Sequence, residues 1–292
     1  MQSGSVHVVG ASGRSGVAVC RALQAAGTPV IPVVRNRARW TATGLGGEPR
    51  IADLTAPAAL RLVLGDASRI VCCAHARHTA ALLAASPPAA RYVLLGSTRK
   101  FTRWPDAHGL GVQAGEAAFT ASGQAGVMLH PTMIYGAQGE NNVQRLAALL
   151  RRLPVVPLPG GGRALVQPIH QDDLTLLVMR AVERDWRGPE TLVVAGPAPV
   201  SYAAFVRAVA SAAGLPPPRF LAVPGGLLRL AAAATAIVPG VPTVRPAEVR
   251  RLLEDKSFDI GPMVATLGVH PVGLEEGLAR TFRRAAPSCI PA

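Results

Sequence analysis

The stretch VHVVGASGRSG, Val6 to Gly16, sets three glycines at intervals of three directly behind a run of valines. Bare backbone in that spacing suits a phosphate-binding turn. Gly10 permits a tight reversal, Gly13 lets a ligand approach the main chain, and Gly16 lets the following helix pack close to the strand. The first amides of such a helix carry partial positive charge, which matches a pyrophosphate. Ser12, Arg14 and Ser15 fill the turn and join the three glycines as candidate ligands. The spacing is G-x-x-G-x-x-G rather than G-x-G-x-x-G. Ser12 lacks the surroundings of a nucleophile elbow. The seven histidines show neither H-x-x-x-H nor H-E-x-x-H spacing, so no metal site is expected.

The elements that must position this turn follow from periodicity. Strands are predicted at Val6–Val9, Val30–Val34, Pro49–Ile51, Arg69–Cys73, Tyr92–Leu95 and Val127–Leu129. Helices are predicted at Arg14–Ala26, Ala56–Leu64, Thr79–Ala85 and Gly111–Ser122. Apolar strands alternating with helices imply α/β architecture: a doubly wound parallel Rossmann sheet covered on both faces. The pattern changes after Pro131. A helix at Asn142–Leu150, a loop at Pro154–Arg163, a strand at Leu165–Ile169, a helix at Asp172–Glu183 and a strand at Leu192–Ala195 follow, and the chain is then helical and proline-rich. Asp172 and Asp173 are expected to cap their helix. The expected organisation is a dinucleotide-binding domain over residues 1–135, with strands returning to it from within 164–196. Residues 136–163 and 197–292 form a smaller, mostly helical C-terminal lobe facing substrate or partner.

Several segments resemble, in the same order, the extended and atypical branches of the short-chain dehydrogenase/reductase superfamily, the NAD(P)-dependent epimerase/dehydratase type. The glycine turn is the first. Ile51-Ala52-Asp53-Leu54 resembles the Asp-Leu that meets the adenine, which implies a role for Asp53 and Leu54. Val71-Cys72-Cys73-Ala74-His75 is similar to the fourth strand where it passes the cofactor, which implicates Cys73 and Ala74. Leu95-Gly96-Ser97-Thr98 resembles the strand end that carries a catalytic Ser or Thr, here Ser97. His130 to Gly136 is similar to R-P-x-x-x-Y-G, with histidine in place of arginine and Pro131 at the cofactor, and Pro168 to Asp173 resembles V-x-V-x-D-V.

The resemblance implies a nicotinamide cofactor. In such sheets an acid ending the second strand binds the ribose hydroxyls of NAD, whereas arginine favours the extra phosphate of NADP. Here that strand ends Val33-Val34-Arg35-Asn36-Arg37, without an acid. Arg35, with Arg14 closing from the other side, offers paired donors matched to phosphate oxygens. NADP(H) is therefore expected ahead of NAD(H).

Hydride-transferring members use a Tyr-x-x-x-Lys pair after the fifth strand, in which the lysine lowers the tyrosine pKa. Counting back from Glu116 places Val112 at the lysine position and His108 at the tyrosine position. None of Tyr92, Tyr135 and Tyr202 is followed by lysine four residues on. His108 and Ser97 are the candidate catalytic residues that remain. Loss of the pair resembles the branch that includes the Rossmann accessory subunit of respiratory complex I. Two functions stay open. One is an enzyme, reductase-, epimerase- or dehydratase-like, acting on a nucleotide-sugar or similar phosphorylated ligand. The other is a non-catalytic NADPH-binding accessory subunit or redox sensor.

Composition constrains partners and compartment. Of the 30 basic residues, 28 are arginine, against 17 acids. That bias toward Ala and Arg with almost no Lys reads as nucleotide composition, and the arginines are scattered, so no nucleic-acid partner is expected. A small-molecule substrate or a protein partner is expected instead. Cys20, Cys72, Cys73 and Cys289 have neither zinc nor disulfide spacing and read as reduced thiols. The first apolar run reads as a strand rather than a secretion signal, so a cytoplasmic protein is expected. The apolar stretch at 227–238 is shorter than the roughly 20 residues that span a bilayer. It reads first as a buried helix and second as a peripheral contact with the inner membrane face.

Overall fold

Each apolar run of the first half lies in one parallel sheet, and each return path carries a helix. The computed structural model describes residues 4–136, 142–153, 155–226 and 250–285. In chain order, β1 (Val6–Val9), α1 (Arg14–Ala25), β2 (Val30–Val34), α2 (Arg37–Thr41), β3 (Arg50–Ile51), α3 (Pro57–Leu64), β4 (Arg69–Cys72), α4 (Thr79–Ala85), β5 (Arg91–Leu95), α5 (Ala107–Ser122) and β6 (Gly126–Pro131) build the first half. Then come β7 (Ile134–Tyr135), α6 (Asn142–Leu150), β8 (Val155–Pro159), β9 (Leu165–Val166), β10 (Ile169–His170), α7 (Gln171–Glu183), β11 (Pro189–Val194), β12 (Val200–Ser201), α8 (Tyr202–Ala212) and β13 (Arg219–Val223). The described C-terminal helices are α9 (Gly261–Leu267) and α10 (Leu274–Ala285).

The main sheet has seven strands in the order β3-β2-β1-β4-β5-β6-β11, and every pairing is parallel. The chain leaves β1 toward β2 and later returns to β4 on β1's other side. The crevice therefore opens at the carboxyl ends of β1 and β4, where strand order reverses. This is the doubly wound Rossmann arrangement.

Both faces of the sheet are apolar because both are covered. Val6, Val8, Val71, Val93 and Val127 face one core with Val19, Leu23, Leu174, Leu177 and Val178 from α1 and α7. Val9, Ile70, Tyr92, Leu94 and Met128 face a second with Leu60, Leu82, Val112 and Phe119 from α3, α4 and α5. Each fully buried Val or Leu contributes about 1.5–3 kcal/mol. Such continuous burial explains why the strands read as unbroken apolar runs. A third core joins Tyr135, Val143, Ala147, Phe205, Val209 and Leu278, chiefly from α6, α8 and α10.

Several elements differ from the sequence reading. The stretch expected to be a loop, 154–163, contains β8, which pairs in parallel with β13. The strand expected at Leu165–Ile169 divides into β9 and β10, which pair with β12 and β7 rather than with the main sheet. The returning strand is β11, longer than expected and in register with β6 from Pro189 to Val194. The cap of α7 is His170, whose Nδ1 accepts the Asp172 amide at 3.2 Å. Asp173 turns inward instead and accepts the Val272 amide at 3.1 Å, which ties α7 to the segment before α10. The stretch 227–238 and Cys289 lie outside the described residues.

Burial raises the Asp173 pKa, and the Val272 amide only partly opposes it. A carboxyl with a raised folded pKa favours folding below its unfolded value and loses that contribution as pH rises through the folded one. An asparagine at 173 keeps the acceptor and removes the buried charge. Asp173→Asn is therefore expected to raise the melting temperature at pH 7, with the gain shrinking as pH falls through the raised folded pKa and gone below the unfolded value of about 3.9. A lower melting temperature at pH 7 in thermal scans would contradict this assignment.

Candidate functional site

The glycine turn lies at the mouth of the crevice. Gly10 adopts φ 77°, a conformation that suits glycine, and its amide donates to the Val33 carbonyl at 2.9 Å. A β-carbon on Gly16 would come within 2.2 Å of the Gly10 carbonyl oxygen, so α1 packs against the turn only because that atom is missing. Gly13 is the N-cap of α1 and is exposed, and no side chain caps the helix. The first-turn amides thus lack the acceptor that Ser or Asp usually supplies. Arg14 begins the helix and is exposed, and Ser12 is half-buried. Ser15 has another partner: its hydroxyl donates to Gln171 Oε1 at 3.3 Å, tethering α1 to the start of α7.

The flanking strands bring the other candidates to the same edge. The Cys73 amide donates to the Val9 carbonyl at 2.9 Å, and the Ala74 amide nitrogen lies 3.1 Å from where a Gly10 β-carbon would stand. Arg35 is exposed at the end of β2. Asp53 and Leu54 are half-exposed after β3. The Asp53 pKa is lowered first by the Thr55 hydroxyl and amide, which both donate to Oδ1, and further by Arg35 and His78. Asp53 is thus held as a carboxylate within the field of Arg35. The thiols of Cys20 and Cys72 are buried, and burial pushes Cys20 up to about 12 and Cys72 up to about 11, so both are inert at neutral pH.

Beyond β5 lies a second group. The Ser97 amide donates to His130 Nδ1 at 3.2 Å, and its hydroxyl oxygen accepts the Arg99 amide at 3.1 Å. Among the described residues this hydroxyl donates no hydrogen bond. Thr98 donates to the carbonyl of Pro131, the buried last residue of β6, at 3.2 Å. Lys100 Nζ bonds both Glu116 oxygens at 2.6 Å and stands 3.4 Å from His130 Nε2. Burial, and then Lys100, pull the His130 pKa down to about 4. Val112, at the position where the family resemblance would place lysine, is buried in the core. Lys100, the lysine nearest in sequence, is instead bonded to Glu116, one turn beyond Val112 on the same helix.

His108 lies in the first turn of α5, which begins earlier than the sequence suggests. Asp106 caps it by accepting the Gly109 amide at 2.9 Å and also pairs with Arg99. His108 Nδ1 lies 3.1 Å from Nε2 of His75, with ring centroids 4.3 Å apart in a T-shaped arrangement. Burial lowers both pKa values, that of His75 to about 4. The sequence marks Glu116 and His130 only as positions in motifs and gives no role to His75 or Gln171; their contacts come from the fold. His75 ends the segment quoted for the fourth strand, but only the fold shows that it meets His108 of α5. Among the described residues, no helix is long and apolar enough to cross a membrane.

No protein-family model matches the chain, and no curated protein matches it in sequence. The fold is similar to those of several solved structures. MoeE5 in complex with UDP-glucuronic acid and NAD has TM-score 0.72 and 19% identity over 96% of this chain and 98% of that one. The NADPH-dependent quinone oxidoreductase QOR2 of Escherichia coli, complexed with NADPH, has TM-score 0.73 and 18% identity over 95% and 99%. The UDP-glucuronic acid 4-epimerase of Bacillus cereus, with UDP-glucuronic acid and NAD, has TM-score 0.71 and 16% identity over 97% and 99%.

Glu116 is mostly buried, so removing its partner leaves a charge without compensation. Lys100→Met is expected to cost about 1–3 kcal/mol in urea unfolding, and adding Glu116→Gln to recover most of that loss. Equal stability of the wild type and the single variant would show that the pair contributes nothing.

Proposed function

We propose that the protein binds NADP(H) in the crevice between β1 and β4 and acts as an atypical short-chain dehydrogenase/reductase. Its reaction is reductase-, epimerase- or dehydratase-like, on a nucleotide-sugar or similar phosphorylated ligand. The observation that carries this reading is the uncapped N-terminus of α1 behind Gly10, Gly13 and Gly16, with Arg35 at the end of β2 where an acid would favour NAD. The solved structures with this fold include one complexed with NADPH and others with NAD and UDP-sugars, which supports the same class.

The residues present fit the cofactor. The close Gly16–Gly10 approach fixes the start of α1, whose first-turn amides would meet the diphosphate. Arg35 and Arg14 would hold the 2′-phosphate, and Asp53, kept ionised, would accept from the adenine amino group with Leu54 beside it. Cys73 and Ala74, which follow β4, and Pro131, at the end of β6, would lie beside the cofactor. The bound nicotinamide supplies hydride exchange with a carbon centre. Ser97 presents a hydroxyl hydrogen, and His108 a ring nitrogen, to the ligand.

A second reading is an NADPH-binding accessory subunit or sensor without turnover, akin to the Rossmann accessory subunit of respiratory complex I. Buried Val112 and the commitment of Lys100 to Glu116 favour it, because no ammonium stands ready to tune an acid at position 108. Tight stoichiometric NADPH that is never oxidised by carbonyl compounds would select this reading.

Arg35→Asp tests the cofactor assignment. Loss of charge-assisted bonds worth about 1.5–3 kcal/mol should weaken NADPH binding about 10- to 100-fold in calorimetry, while NADH binding is maintained or improved. Unchanged NADPH affinity would contradict the role of Arg35.

A further inference from the structure

His75 and His108 form a pair whose protons can be assigned. The Arg77 amide donates to His75 Nδ1 at 3.0 Å. A ring nitrogen that accepts carries no proton, so neutral His75 holds its proton on Nε2. That N–H points at His108 Nδ1, 3.1 Å away. His108 Nδ1 therefore accepts as well, and its own proton lies on Nε2. Among the described residues, His108 makes no hydrogen bond besides this one.

The surroundings keep the pair neutral. Both rings are half-buried. The charged groups facing them come from every neighbouring element: Arg77 and His78 from the turn after β4, Arg99 from the turn after β5, Asp106 from the cap of α5, and Arg251 from the C-terminal segment. Asp106 is the carboxylate of that set, and it pairs with Arg99 and Arg251. A proton added to His108 would have to take Nδ1 and displace the bond from His75. A proton lost from Nε2 would leave an imidazolate, because His75 has no second proton to pass on. Near neutrality the ring thus neither accepts nor relays a proton. It is a donor of fixed direction, a role that a neutral imidazole fills in other enzymes.

We propose that His75 locks His108 as a neutral Nε2–H donor that binds the oxygen of a carbonyl substrate, polarising that oxygen without protonating it; NADPH would deliver the hydride to the carbonyl carbon, and solvent water would protonate the oxyanion that forms. His75 is then a positioning residue. The carbonyl part rests on the reductase reading above, whereas the locked tautomer does not.

The test uses the full chain labelled with 15N-histidine and two-bond proton–nitrogen spectra between pH 5 and 8. From pH 7 to 8 His108 is expected to show a protonated Nε2 and a bare Nδ1, with its titration midpoint below 6.5. His75→Ala should give mixed tautomers at His108 and a titration midpoint shifted toward 6.5. His75→Gln, whose amide still donates, should restore the wild-type pattern. A proton on Nδ1, a wild-type midpoint near 6.5, or an unchanged spectrum in His75→Ala would overturn the lock. The carbonyl role is read with NADPH and 9,10-phenanthrenequinone as probe. His108→Gln and His108→Leu should each lower kcat, the leucine variant by about 10²-fold. Full turnover in His108→Leu overturns the donor role. A wild type that binds NADPH but does not reduce the quinone removes that role together with the reductase reading, and leaves the lock to be judged on the spectra alone.

Discussion

The start of α1 is the point on which the crevice depends. Gly16 packs so tightly on the Gly10 carbonyl that a single β-carbon would force the helix away. The approach fixes the direction of the helix, and no side chain caps its first turn. Helix-start amides that no side chain caps are the groups a phosphate satisfies. Strand order does the rest. Because β2 and β4 flank β1, their ends deliver Arg35 on one side and Cys73, Ala74 and His75 on the other.

The second half of the site is built on different terms. Where the resembling superfamily places a phenol beside an ammonium, this chain has an imidazole backed by another imidazole, and its nearest lysine is bonded to Glu116. The two arrangements differ physically. A phenol beside a cation releases a proton more easily, whereas two half-buried rings among arginines stay neutral at pH 7 and differ only in which nitrogen donates. His130 at the position of the expected arginine belongs to the same shift, since a neutral ring there holds the Ser97 amide with no added charge.

Much of the framework was legible in the sequence. Val6–Val9, Val30–Val34, Thr79–Ala85 and Asn142–Leu150 stand where periodicity placed them, because buried parallel strands are unbroken apolar runs and the helices carry clear faces. The glycine spacing likewise announced a turn, since only close backbone approach requires it. What escaped was set by long-range partners. The 154–163 stretch is a strand because β13 pairs with it from far along the chain. His170 caps α7 while Asp173 turns to Val272, a choice that local capping preference cannot foresee. His75 and His108 are separated by all of α4 and β5, so their meeting exists only in the folded sheet.

Titration calorimetry of the full chain with NADPH, NADP+, NADH and NAD+ in turn addresses the dinucleotide crevice most directly. One-to-one binding of the two phosphorylated forms, clearly tighter than that of the other two, is the predicted result. No heat of binding with any of the four would contradict the account at its base.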